Sequence, residues 1–317
     1  ERSEHPYCNV RQPIAYLPHQ PQKARLTTNQ MTIDTATLTP RETYAYLSGA
    51  VAPRPICFAS TIDANGKVNL SPFSFFNVVS GAPPLLAFSP LLSGRDGSAK
   101  DTLNNVRAVP EVTINIVNHA IVEQMSLTST AYPTDVNEFE KAALTQVQSD
   151  VVTPPRVGES PVSFECVVDQ VLPLGKGPMG GNLIIARVVR IHVRDEYLAA
   201  DGTLDIRTLD LVGRMGGADY IRAVPESLFE IPKPIRTLGI GVDGLPVHIR
   251  NSTILTGNNL GRLGNLEQLP TPEEISNLAS NAGVKEALSG SLEQVHRLAQ
   301  AYLKRGETKL ALTILMA

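Results

Sequence analysis

The residues best suited to chemistry crowd into one stretch, 53–102, which reads PRPICFASTID, then NLSPFSFFN, then PPLLAFS, then KDT. Ser71, Pro72, Phe73, Ser74, Phe75, Phe76 and Asn77 set small hydroxyls, aromatics and an amide side by side. A flat heteroaromatic ligand needs that combination: apolar walls for its faces and a few donors and acceptors at its edge. The same residues also suit a strand end packed into a core. Lys100-Asp101-Thr102 follows the Gly/Ser-rich run Ser93-Gly94-Arg95-Asp96-Gly97-Ser98, and Leu103 and Val106 have helical spacing. Free backbone N–H groups at a helix start favour an anion, and Lys100 with a threonine hydroxyl would complete a phosphate site. A solvated helix start capped by Asp101, with Lys100 in water, is the plainer alternative.

Other motifs carry less. Gly239-Ile240-Gly241-Val242-Asp243-Gly244 matches GxGxxG, but a dinucleotide fingerprint needs a strand before it and a helix opening from it. Pro246 follows, and Val247-His248-Ile249-Arg250 reads as extended, so a Gly/Asp turn is expected. Gly175-Lys176-Gly177-Pro178-Met179-Gly180-Gly181 lacks the ending of a P-loop and reads as a long hairpin loop. His192 falls on the polar side of a strand pattern, solvated or paired. His119 falls at a helix start, with Asn118 as its cap. Histidines and acids show no metal-ligand spacing. The three cysteines, Cys8, Cys57 and Cys166, are odd in number and far apart, which indicates neither a disulfide framework nor zinc. Cys57 suits a small buried hydrophobe better than a redox thiol.

The elements that must hold these residues follow from pattern. Thr39-Pro40-Arg41-Glu42 joins an N-cap threonine, a proline at the first helical position and a glutamate three after the cap. From 54 to 193 strands dominate, at 56–61, 85–89, 112–117, 162–171 and 183–193. In the last, Val189, Ile191 and Val193 alternate with Arg190, His192 and Arg194, which predicts the apolar set facing inward. Asn65-Gly66 marks a hairpin. Helical pieces fall near 101–108, 119–127 and 137–145. Spacing this short disfavours repeated βαβ units and favours antiparallel strands closed into a barrel. Ile231-Pro232-Lys233-Pro234 suits an extended linker. Beyond it, Thr271-Pro272-Glu273-Glu274 and Ser291-Leu292-Glu293-Gln294 repeat the capping pattern. Leu292, Val295, Leu298, Ala299 and Leu303 form a helical stripe ended by Gly306. Three regions result: a poorly structured extension at 1–30, a barrel domain at 31–234 and a mostly helical region at 235–317. The extension reads either as sequence upstream of a start at Met31 or as an arm that wraps a partner subunit.

Composition sets outer bounds. In 317 residues, 42 % are hydrophobic and 19 % charged, and the net charge is −3. A chain of this length buries a core without disulfide or metal staples. The charge balance, with no long basic run, points away from nucleic acid and anionic membrane as partners. No apolar run approaches the roughly 18 residues of a membrane span. The cysteine usage fits a reducing, cytoplasmic setting.

Taken together, PRPI, the STID turn, NLSPFSFFN, the PP pair, KDT, EFEKAALT, ARVVRIHV and GRMGGADY resemble the flavin reductase-like, FMN-binding split-barrel family, which includes flavoredoxins, in order and rough spacing. The resemblance spans roughly 31–235. It implies a mainly β fold, a Greek-key split β-barrel with peripheral helices, here with a helical C-terminal region added. It also implies a homodimer with FMN near the subunit interface. By the matching motif positions, FMN contacts would come from Ala59, Ser60 and Thr61, from Ser74, Phe75, Phe76 and Asn77, and from Lys100 and Thr102 near the phosphate, with Arg95 a further phosphate contact. The activity implied is NAD(P)H:flavin reductase, with NADH or NADPH as hydride donor and a partner oxygenase as one recipient of reduced flavin. Hydride transfer between two rings held about 3–3.5 Å apart needs no general acid or base, so no catalytic side chain is assigned. The region 235–317 departs from shorter relatives. It opens two alternatives: an FMN-binding electron carrier without its own NAD(P)H site, and a flavin oxidoreductase for one small organic substrate.

Overall fold

The computed structural model describes residues 30–231, 238–279, 284–285 and 288–317. Nearly all of the extension at 1–30 and of the Pro-rich linker therefore lies outside the described residues. The chain divides into two compact units, the first ending at Ser227 and the second beginning at Leu228.

The first unit opens with α1 (Pro40–Ala50), set by the capping box anticipated from Thr39 and Glu42. The three short strands of one sheet and the seven strands of the main sheet then share the chain. In order they are β1 (Arg54–Pro55), β2 (Cys57–Ile62), β3 (Val68–Phe73), β4 (Phe76–Gly81) and β5 (Pro84–Phe88). Helix α2 (Asp101–Ala108) leads to β6 (Glu111–Ile116), then α3 (Val122–Leu127) and α4 (Glu138–Lys141). The small pair β7 (Gln146–Val147) and β8 (Arg156–Val157) precedes the long strands β9 (Val162–Pro173) and β10 (Asn182–Val193). Strands β11 (Val212–Arg214) and β12 (Tyr220–Arg222) complete the β1 sheet.

The main sheet runs β3-β2-β6-β9-β10-β5-β4 with every pairing antiparallel. Its two terminal strands are consecutive in the chain and joined only by Ser74 and Phe75. Three Cα steps span at most about 11 Å, so the sheet must curl until its edges meet at that corner. This is a split barrel: closed by the chain, open in hydrogen bonding between β3 and β4. Cys57, Ala59, Phe73, Phe76, Phe88, Ile114 and Ile184 fill its interior, and the Phe73 and Phe88 rings lie 5.2 Å apart. Each such fully buried large side chain contributes roughly 1.5–3 kcal/mol. The other face of β2 and β3 packs Phe58 and Leu70 against Ile121, Met125 and Phe139 from the peripheral helices.

Asn65-Gly66 does sit in a hairpin, between β2 and β3. Gly66 takes φ +80°, and the Asp63 side chain accepts from the Asn65 and Lys67 N–H groups. Two expectations are corrected here. Val189 and Ile191 are exposed, 41 % and 59 %, rather than inward. The register of β10 against β9 shifts between Val188 and Arg190, which leaves Val189 as the extra residue and pairs Ile191 with Phe164; Ile191 is exposed because the end of the strand runs past the core. Ile184 and Ala186, before the bulge, are the inward set. Asn118 precedes the 3₁₀ turn at His119–Ile121 but makes no side-chain cap; its amide donates instead to the Tyr197 hydroxyl at 3.2 Å.

In the second unit, α5 (Val247–Arg250), α6 (Gly257–Gly264), α7 (Pro272–Ala279), α8 (Leu292–Lys304) and α9 (Thr308–Met316) enclose Leu245, Ile249, Leu263, Ala299, Leu303 and Leu312. Val247–Arg250 is thus one helical turn, not extended. Four residues after Pro246 carry too little periodicity to reveal it. The Gly239–Gly244 run forms turns, as expected, packed on the end of α6. A Cβ at Gly239 would lie 2.5 Å from the Gly264 carbonyl oxygen, and one at Gly264 would lie 2.9 Å from Gly241. These glycines serve close backbone packing rather than a phosphate.

Candidate functional site

The KDT motif opens α2. Lys100 occupies the N-cap with extended backbone and no side-chain cap, and the first helical bond comes from Leu103 to the Lys100 carbonyl. The start of the helix thus presents its dipole and the leading N–H groups without an acidic cap. Thr102 is fully buried beneath it. Asn69 of β3 donates from Nδ2 to Thr102 Oγ1 at 3.0 Å and to Thr61 Oγ1 at 3.4 Å. Asn105, one turn along α2, donates to Thr61 Oγ1 at 3.1 Å. Both threonine hydroxyls therefore act as acceptors, and among the described residues neither hydroxyl hydrogen has an acceptor of its own. Both threonines are fully buried, so Lys100 is the exposed donor at this helix start.

Lys100 adds the charge. As a residue it is exposed, but its ammonium end is crowded by protein, 5.7 Å from the centre of the Phe73 ring, and this desolvation lowers its pKa. Among the described residues it has no carboxylate partner. Arg95 sits in the loop before α2. That loop is closed by Ser93–Ser98 and Ser93–Gly97 backbone bonds and by Asp96, whose carboxyl is held down at about 2 by the Ser93 and Ser98 hydrogen bonds. The Arg95 side chain is exposed, and no hydrogen bond ties it to the Lys100 group.

Strand alternation separates Ala59, Ser60 and Thr61. Ala59 joins the barrel core, Thr61 points to the α2 cluster, and Ser60 faces the opposite side, buried with no hydrogen-bond partner for its Oγ. The aromatic segment forms the corner that closes the barrel. Phe76 is buried in the interior, while Ser74 and Phe75 are half-buried at the bend. Asn77 is exposed, with its Oδ1 accepting the Val78 N–H at 2.8 Å. Phe75 lies 6.0 Å from the Tyr44 ring and 5.8 Å from the Arg54 guanidinium carbon. The structure thus gathers Thr61 and Thr102 at one end of β2 and β3, while the Lys100 ammonium reaches Phe73 at the other end of β3, next to the Ser74 to Asn77 corner.

Sequence reasoning missed Asn69, Asn105, Arg54 and Tyr44. Asn69 stands inside the quoted NLSPFSFFN, and its signal was a polar residue two before the serine. The other three carry no local pattern that marks them.

A second polar cluster lies on the outer face of β9 and β10. Buried Glu165 accepts from the backbone N–H groups of Asp150, Val151 and Val152 at 2.7–3.1 Å, and from His192 Nε2 at 2.6 Å. Burial raises its pKa, but these donors together hold it below the usual carboxylate range. Asp150 pairs with Arg190 at 2.8 Å. Asp150, Glu165 and His192 bring ligand-type atoms within 4.8 Å of one another, yet every one of those groups is committed to protein, and the cluster locks a loop. Cys57 and Cys166 are buried and unbonded, and burial pushes the Cys166 thiol up to about 12, well away from thiolate chemistry. Two cavities are lined by other residues than these. One of about 450 Å³ lies beside His119, Glu123, Tyr220 and Arg222, and one of about 710 Å³ lies in the second unit beside Phe229, Asn258, Arg262 and Lys304.

Comparison with known proteins agrees with this architecture. An uncharacterised protein of Halalkalibacterium halodurans is 39 % identical over 194 residues, covering 60 % of this chain and 91 % of that protein. The crystal structure of nitrilotriacetate monooxygenase component B from Bacillus cereus superposes with a TM-score of 0.61 at 29 % identity, over 65 % of this chain and all of that one. A split-barrel protein of Shewanella frigidimarina, described as a flavin reductase, gives a TM-score of 0.54 at 26 % identity, over 62 % of this chain and 95 % of that one. Half the chain, residues 49–207, matches the model of the flavin reductase like domain, and the chain belongs to that family of flavin-related oxidoreductases.

Proposed function

We propose that the chain is an NAD(P)H-dependent flavin reductase holding FMN between the start of α2 and the β3–β4 corner. The observation that carries this reading is Lys100, exposed at the start of α2 with no carboxylate partner among the described residues, together with the buried Thr61 and Thr102 hydroxyls and their spare donors. They would hold the phosphate, with Arg95 reaching in from its loop. Ser74, Phe75, Phe76 and Asn77, with the β2 backbone at Ala59 and Ser60, would bound the ring system. When bound, a flavin accepts hydride from NADH or NADPH and passes electrons on. The protein's share is then to bind, to orient and to keep water from the ring faces. No side chain is asked to move a proton, and the buried thiols take no part.

Four finer readings accompany this one. Exposed Tyr46, Leu47 and Val51 on and after α1, and Val78 and Val79 on edge strand β4, support a homodimer. Likeness to a monooxygenase component B supports a partner oxygenase that receives reduced flavin. Two buried free thiols suit a cytoplasmic setting; no described helix is long and apolar enough to cross a membrane. The second unit lies beyond the matched 49–207 and favours a role in restricting the substrate.

The test is a visible absorption spectrum of the purified protein with FMN, followed by anaerobic addition of NADH and then NADPH. Flavin bands that bleach with either nucleotide are expected and name the donor. Bands that persist would sink the reductase reading in favour of an electron carrier reduced by another protein. A protein that takes up no FMN would remove the flavin reading altogether.

A further inference from the structure

Arg54 is 7 % exposed and reaches four acceptors. Nη1 donates to the Ser48 carbonyl and, at 2.7 Å, to the Val51 carbonyl, both at the C-terminal end of α1. Nη2 donates to the Met215 carbonyl at 3.0 Å, in the turn between β11 and β12. Nε donates to Ser74 Oγ at 3.4 Å, at the barrel-closing corner, where the guanidinium also lies over the Phe75 ring. One residue thus ties α1, the β11–β12 turn and the β3–β4 corner together.

Its charge is not matched by any anion. Among the described residues no carboxylate lies within 4.0 Å of it, although a buried cation normally demands one. Three carbonyl dipoles and a hydroxyl solvate it instead. Two of those carbonyls belong to a helix C-terminus, worth only a fraction of a negative charge. Substantial positive charge therefore remains in a low-dielectric place, directly behind Ser74 and Phe75. A purely structural tie at this position would be served as well by a neutral hydrogen-bonding group without the cost of burying an ion. A positive field behind a redox ligand has a use: it favours the form of the ligand that carries more negative charge.

We infer that Arg54 is a positioning residue for the flavin, setting the Ser74–Phe75 corner through its planar fork and biasing the bound flavin toward its reduced, more anionic form through its charge. This rests on the flavin reading above. Lysine keeps the charge without the fork, and methionine keeps the length without the charge, so the two roles separate.

The experiment compares the full-length protein with Arg54→Lys, Arg54→Met and Ser74→Ala. It measures FMN affinity by quenching of flavin fluorescence and the midpoint potential of bound FMN by anaerobic dye-linked titration. Arg54→Met should weaken reduced FMN about tenfold more than oxidised FMN, lowering the potential by about 30 mV for the two-electron couple. Arg54→Lys should hold the potential near wild type while weakening both forms about threefold. Ser74→Ala, which leaves the buried charge and the core untouched, should weaken both forms slightly and leave the potential unchanged. A methionine variant with wild-type potential would overturn the electrostatic role. Wild-type affinity in both the lysine and alanine variants would overturn the positioning role, even if the methionine variant failed to fold. Wild-type protein that binds no FMN would instead remove the flavin reading, a result distinct from either.

Discussion

Lys100 and Thr102 show how little side-chain chemistry a phosphate site of this kind requires. A charge-assisted hydrogen bond is worth about 1.5–3 kcal/mol, so Lys100→Met should weaken FMN about 10- to 100-fold, read by fluorescence titration. Thr102→Ala should cost less directly, yet it removes the shorter of the two Asn69 amide bonds, so it should also lower stability by about 1 kcal/mol; Lys100→Met should not. The pH dependence has a fixed sign. Desolvation lowers the Lys100 pKa in the free protein, and a bound dianion must raise it again. Affinity should therefore be flat between the second phosphate pKa of about 6 and the free-protein Lys100 pKa, and fall as pH rises through the latter, and Lys100→Met should abolish that falling limb. An affinity that kept rising with pH well above the second phosphate pKa of about 6, with no falling limb, would contradict the Lys100–phosphate contact. At this scale the motif was readable because KDT carries charge, hydroxyl and helix start in three consecutive positions. Asn69 and Asn105 were not, since Asn69 reaches Thr61 across a strand pair and Thr102 on α2, and Asn105 reaches Thr61 from helix to strand. Arg54 was hidden inside a quoted motif, and only its surroundings in space reveal it.

The elements were legible wherever a local rule decides them. Thr39 and Glu42 make their capping box, as do Ser291 and Gln294, because both partners lie within four residues. The Val189–Val193 pattern misled because alternation registers neither the bulge at Val189 nor the point where a strand outruns its core. That end faces the loop held by Glu165. Three backbone N–H groups and His192 converge on one carboxylate that is sealed from solvent but close beneath the surface. Glu165→Ala should therefore destabilise the first unit by about 2 kcal/mol, with hydrogen exchange accelerated at Asp150, Val151 and Val152 before elsewhere. Because the folded pKa of Glu165 is depressed, its contribution is complete above the unfolded value of about 4.3 and is lost as pH falls through the folded one. Acid should free this loop early, and Glu165→Gln should make its protection independent of pH across that range.

At the scale of the whole molecule, the family match and the chain's own packing divide the sequence differently. The match ends at 207, while β11 and β12 continue the first unit to Ser227, and a separate core begins beyond Leu228. Arg54 explains why 208–227 belongs with the barrel: its Nη2 bond to Met215 and the β1–β11 pairing of Arg54 with Arg214 bind that stretch to the corner. The second unit packs glycines in near contact, and Gly264, inside α6, is a direct test. A methyl there would meet Gly241 and Val242 backbone at 2.9 Å, so Gly264→Ala should destabilise the second unit by about 1–3 kcal/mol through overpacking. If the units fold independently, calorimetry of this variant should show one transition moved down and the other unmoved. A chain of residues 30–227, which keeps both cores of the barrel unit, should then retain the unmoved transition and bind FMN with full-length affinity. Substrate restriction by the second unit makes a further demand on the same two proteins: the short chain should oxidise NADH or NADPH with a wider set of flavin acceptors than the full one. An unchanged acceptor range would leave the second unit with no part in selecting substrate, and a short chain that lost FMN would show that the barrel unit depends on it for more than selection.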